Sequence, residues 1–223
     1  MTDMNHPPDL AQDFILIHRV ITRGLGVSIN KGGEFIKTGF PTPELKRGFL
    51  DYIQTLAVVV KSHHTGEDDV VFPALKQKVT GAPYLQMALA HKEISSLLEN
   101  LKKGFDQAAD SNQPENFAYL IDQLQKLSFT WTPHIRMEEF HFSKSALAAA
   151  LSVEEQGRIS GAWGKHSQEH AEPSPLALPF VLYNLAPADR AEMAAGMPVM
   201  VTEELIPKTW KDQWAPMKPF LLD

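Results

Sequence analysis

One step occurs twice in this chain and limits what it can fold into. A histidine is followed four residues later by a glutamate, at His63–Glu67 and again at His134–Glu138. Residues four apart share one face of an α-helix, a turn from each other. An imidazole and a carboxylate placed that way can grip one metal ion from one side. Each step also has a lone histidine upstream at a nearly matched distance: His18 precedes His63 by 45 residues and His91 precedes His134 by 43. The order histidine, step, histidine, step reads as an internal duplication. It offers four imidazoles and two carboxylates.

The segments that carry these residues are helical in pattern. Residues 9–30 place Phe14, Ile15, Ile17, Val20, Ile21 and Leu25 close to helical spacing. Gly32-Gly33, Pro41 and Pro43 mark a break, and Pro43 suits the first turn of the next helix. That helix is expected over 44–75, through Leu50, Ile53, Leu56, Val60 and His63. Its β-branched run Val58-Val59-Val60 lies inside the longer helical period. Gly81 and Pro83 punctuate again. A third helix is expected over 83–107, with Leu85, Leu89, Ile94, Leu97, Leu98 and Leu101 on its apolar face. A turn follows at Asp110-Ser111-Asn112, and a fourth helix is expected over 115–150, opening at Pro114. Pro133 stands directly before His134, removes a backbone donor and should kink that helix.

Four long helices on short connections predict an all-α, up-down-up-down four-helix bundle over residues 8–150. Each lone histidine falls on the first helix of an αα-hairpin and each step on the second, so all six groups can face the bundle axis at one height. Residues 151–223 read as a C-terminal helical extension packed on the bundle. Ser152 caps a fifth helix reaching His170, with Glu154 and Glu155 in its first turn. Pro173, Pro175 and Pro179 enforce a bend, and short helices follow over 189–197 and 202–205. Trp210, Trp214, Met217 and Phe220 supply large groups that pack on the bundle.

Composition narrows the function classes. The net charge is −6 without a basic patch, so nucleic acid is not an expected partner. The chain has no cysteine, which excludes disulfides, thiolate catalysis and cysteine-held metals. It fits a reducing compartment, and a cytoplasmic location is expected. Met1 to Pro8 is polar and lacks the apolar core of a secretion signal. No apolar run reaches the roughly 18 residues of a membrane span.

The expected metal ligands are His18, His63, His91 and His134 as terminal imidazoles, with Glu67 and Glu138 as bridging or chelating carboxylates. Six protein ligands cannot fill two six-coordinate ions, so positions remain for a small ligand. His64 lies about 100° round the helix from His63; it is expected to face solvent or a neighbouring helix, and it stands with His166 and His170 as a further candidate ligand. His141 shares the face of His134 but falls too far along. His166 and His170 are spaced like a zinc-binding pair. They offer an extra ligand or a lid, with His170 the nearer contributor. The preferred reading is a surface pair stabilised by a helix C-terminus. Tyr52, Trp131 and Phe14 line a ligand pocket or belong to the core. Asp68 and Glu139 stand behind the ligands or on the surface.

Four stretches carry a resemblance: Ile17-His18-Arg19, His63 to Pro73, Ala90-His91-Lys92-Glu93, and His134 to Glu139. They resemble the hemerythrin-like family, also called HHE cation-binding domains, over roughly residues 10–150. The resemblance implies a four-helix bundle with a non-heme di-iron centre that binds dioxygen, nitric oxide or peroxide through the six residues above. Zinc or another divalent metal competes for such nitrogen-rich sites. Asp68 replaces the family's usual second glutamate, and Phe142-Ser143 replaces its Phe-Pro ending. Two other classes compete. One is an iron-handling or iron-sensing bundle that loosens without metal. The other is a metal-free structural bundle whose C-terminal extension meets a protein partner. Enzymatic activity is left open, with peroxide disproportionation the reaction to test.

Overall fold

The computed structural model describes residues 8–109 and 114–223. Every regular element among them is helical: α1 (Leu10–Thr38), α2 (Pro43–Gly66), a π-helical segment (Glu67–Val71), α3 (Phe72–Leu75), α4 (Tyr84–Ala109), α5 (Pro114–His141), α6 (Lys144–Ala150), α7 (Val153–His170), α8 (Ser174–Tyr183), α9 (Pro187–Ala195), a second π segment (Val201–Thr209), α10 (Lys211–Trp214) and a 3-10 segment (Ala215–Phe220). The turn expected at Asp110-Ser111-Asn112 lies outside the described residues.

Local chemistry explains the helix starts. The Asp9 side chain accepts the Gln12 N–H at the head of α1, and Thr42 does the same for Leu45 at the head of α2. Ser152 and Glu155 form a reciprocal capping box on α7. The π segment ends at Phe72-Pro73. Proline has no N–H to donate, and its ring crowds the carbonyl four residues back, here that of Asp69. The helix widens there, and the Phe72 N–H reaches back to the Glu67 carbonyl.

Several expectations fail for physical reasons. Gly32-Gly33 does not end the first helix, because α1 runs on to Thr38. Gly32 instead permits close packing: a Cβ there would meet Ile121 Cδ1 at 2.0 Å. The fourth helix stops at His141, not 150, and α6 begins afresh after Ser143. Pro179 does not break α8 but lies buried inside it. Leu85 and Leu89 are 77% and 54% exposed; α4 presents Met87, His91, Ile94 and Leu101 inward instead.

Helix α1 packs on α2 and α5, and α4 packs on the same two. Two apolar clusters result. The larger holds Leu25, Phe49, Leu56, Leu124 and Trp131. Phe180, Trp214, Met217 and Phe220 from the C-terminal segment enter this same cluster. There Phe220 lies against Phe35, Phe49 and Tyr52. Tyr52 also donates to Asn184 at 2.6 Å, and Arg23 donates to the Phe220 carbonyl at 3.0 Å. The smaller cluster holds Phe14, Phe72, Met87, Phe142 and Trp163. Full burial of each such side chain contributes about 1.5–3 kcal/mol. A set of histidines lies between the clusters, its rings touching Trp131 of one and Phe14, Phe72 and Trp163 of the other.

Candidate metal centre

The last turn of α2 carries His63 and His64, and Glu67 opens the π segment. α1 contributes His18, α4 His91, and α5 His134 and Glu138. All seven are buried, and both glutamates are 0% exposed. α5 continues as helix through Pro133 and delivers His134 inward.

These seven residues form two groups: His64, Glu67, His91 and His134, and His18, His63, Glu67 and Glu138. Within each group one donor atom per residue lies within 4.8 Å of all the others. Each glutamate divides its oxygens. Glu67 Oε1 is 3.3 Å from His63 Nε2, and its Oε2 is 3.3 Å from His91 Nε2. Glu138 Oε2 is 3.3 Å from His18 Nε2, while its Oε1 is 3.2 Å from His134 Nε2 and 3.6 Å from His91 Nε2. The Nε2 atoms of His91 and His134 face each other at 3.1 Å.

This donor set fits metal, since each group could hold an ion. Neither oxygen of Glu67 or Glu138 has a protein hydrogen-bond partner. The same holds for Nε2 of His18 and for both ring nitrogens of His63 and His64. A buried polar atom left unpaired costs about 1–3 kcal/mol, more when charged. Convergent, unpartnered carboxylate and imidazole atoms are what cation ligation satisfies.

The protein groups by themselves titrate far from their ordinary ranges. Burial, reinforced by the charge of Glu138, pushes Glu67 up to about 8. Burial acts the same way on Glu138, but the close approach of the His18 and His91 rings wins and holds it well below the usual carboxylate range. Burial pushes His18 down, yet its contacts with Glu138 and Glu139 outweigh this and raise it to about 9. His91 is likewise raised against burial to about 11, by Asp68, Glu138 and Glu67. His134 falls to about 4, and His63 and His64 fall too, chiefly through burial.

The six residues named from spacing are thus brought together. Of the two expectations for His64, solvent or a neighbouring helix, the second holds: it is 3% exposed and faces the centre, its ring stacked 4.2 Å from His91 of α4. The i, i+3 relation of His64 to Glu67, which also shares a helix face, is the signal that favours this. His166 and His170 lie outside both groups. Their rings stack at 4.0 Å, His166 Nε2 is 3.3 Å from Asp69, and His170 Nδ1 donates to the His166 carbonyl at 2.8 Å. Trp131 floors the site, 5.5 to 6.1 Å from His18, His63, His64 and His134, and its indole N–H is held by Thr22. Phe14 touches His18, whereas Tyr52 belongs to the Asn184 network. The sequence did not point to Trp163, whose ring lies 5.6 Å from His63, or to Phe72, stacked 5.4 Å from His91.

A family model described as the hemerythrin HHE cation binding domain matches residues 15–145. No curated protein and no solved structure matches the chain. No helix among the described residues is long and apolar enough to cross a membrane.

Proposed function

The chain belongs to the hemerythrin HHE cation-binding domain family, and from that premise we propose that it is a non-heme di-iron protein that binds or reacts with dioxygen, nitric oxide or peroxide. The observation that carries this reading is the pair of buried four-residue groups that meet at Glu67. His64, His91 and His134 would hold one ion and His18 and His63 the other, with Glu67 and Glu138 offering one oxygen to each side. When bound, a pair of iron ions supplies a change of oxidation state and, with five protein donors on one side and four on the other, room for a small ligand.

The chain's own residues do the rest. Trp131, Phe14, Phe72 and Trp163 wall the centre with apolar rings and exclude water. Exclusion of water strengthens every electrostatic contact inside. In the metal-free chain Glu67, raised by burial to about 8, holds a proton near neutral pH that an entering cation must displace. The up-down-up-down order of α1, α2, α4 and α5 belongs to the same proposal, since it would bring both hairpins' donors to one height.

The test is metal content per chain, by plasma mass spectrometry, on protein made in iron-supplemented medium and purified without chelators. About two irons per chain would support the reading and lead to assays with the three small ligands. A folded protein without stoichiometric metal would overturn it in favour of a structural bundle.

A further inference from the structure

Each glutamate of the centre is followed in the chain by a second acid: Asp68 after Glu67, and Glu139 after Glu138. The second acids turn away from the centre and reach the far side of an imidazole. Asp68 Oδ1 is 2.9 Å from His91 Nδ1, and Glu139 Oε1 is 2.9 Å from His18 Nδ1. A carboxylate at that distance accepts, so each Nδ1 carries the proton and Nε2 is the atom left facing the centre. The arrangement is reciprocal between the hairpins. Asp68, from the hairpin of α1 and α2, holds a histidine of α4; Glu139, from the hairpin of α4 and α5, holds a histidine of α1. His63, His64 and His134 have no such support, since their Nδ1 atoms lack a protein partner.

We infer that Asp68 and Glu139 are positioning residues, one for each ion of the pair. Asp68 orients His91 for the group with His64 and His134, and Glu139 orients His18 for the group with His63. The inference rests on the dinuclear reading above. A partner behind a ligating histidine fixes its ring and raises its basicity, and its loss typically weakens metal binding 10- to 100-fold. The side chains of Asp68 and Glu139 are 43% and 38% exposed. Water can therefore replace either carboxylate, and a substitution there leaves the core packing alone.

The experiment titrates metal-free wild type, Asp68→Leu, Asp68→Asn, Glu139→Leu and Glu139→Gln with zinc(II) against a chromophoric chelator. It is paired with ¹H–¹⁵N spectra of the histidine rings. Wild type should take up two zinc ions. Asp68→Leu should lose 10- to 100-fold affinity at one site only, and Glu139→Leu the same at the other. The Asn and Gln variants, which keep an accepting oxygen but no charge, should fall between. Each Leu variant should also lose one slowly exchanging Nδ1–H signal, His91 or His18 respectively. Two sites of unchanged affinity in both Leu variants, or equal loss at both sites in each, would overturn the assignment. If wild type bound no zinc, the dinuclear reading would fall by itself. The two Nδ1–H signals would then decide: loss in the matching Leu variant supports the positioning role, and persistence overturns it.

Discussion

The indole of Trp163 lies against the bare Cα of Gly66, where a Cβ would come within 2.6 Å of both Cδ1 and Nε1. Gly66 stands between His64 and Glu67, so this contact seats α7 directly on the turn that supplies three donors. Gly66→Ala should push the indole, or α7 with it, off His63. A forced repacking of this kind costs about 1–3 kcal/mol. Urea unfolding should register that loss, and a chelator should strip metal faster than from wild type. If both measurements match wild type, α7 is not the cover of the centre.

Glu67 offers an oxygen to each donor group, so Glu67→Ala should cost both ions and not one. A site held at a hundred times its Kd contributes about 2.7 kcal/mol to stability. For a chain of this size, loss of that contribution at both sites lowers Tm by about 10–20 °C. Differential scanning calorimetry with and without chelator checks this. Wild type should fall by that amount on chelation, whereas the variant should start low and not respond.

His64→Ala separates the geometry from the spacing argument. His64 stacks on His91 and joins only the group with His134. The variant should retain one ion per chain and lose the second. Two tightly held ions in this variant would return His64 to the role of a buried bystander.

Metal affinity should rise with pH. His18 and His91 hold protons up to about 9 and 11 in the metal-free chain, and Glu67 holds one up to about 8. A cation must displace these protons, so the free protein is favoured at low pH and the loaded one at high pH. The rise should be steep between pH 6 and 8 and become shallower above 9, once Glu67 and His18 have given up their protons. Calorimetric zinc titration in two buffers of different ionisation enthalpy should show net proton release at pH 7. No release at that pH would mean that these groups are already deprotonated.

Phe220 lies 3% exposed among Phe35, Phe49 and Tyr52, more than 150 residues away in sequence. Phe220→Ala should cost about 3–5 kcal/mol in urea unfolding of the metal-free protein. Because the contact lies in the larger apolar cluster, zinc stoichiometry should stay at the wild-type value. A loss below 1 kcal/mol would show that the C-terminal segment packs only loosely.

The sequence by itself pointed to the helical segments and to His18, His63, Glu67, His91, His134 and Glu138 as candidate donors, because a helical period and an i, i+4 relation are local properties of the chain. What lies across from a given face is not local. Gly32 carries a break signal, yet α1 continues because Ile121 needs the space that a side chain would fill. Leu85 and Leu89 carry the apolar period of α4, yet both are exposed because α4 presents Met87, His91 and Ile94 to its neighbours. His64 faces the centre because the ring of His91, from another helix, is there to stack on it. The aromatic cover depends on Trp163, about 100 residues beyond His63, finding a glycine at position 66. Spacing along one helix names the groups able to meet a cation. Only the packing of α1, α2, α4, α5 and α7 decides which of them are deprived of water and left without partners, and burial without partners is what makes a ligand set.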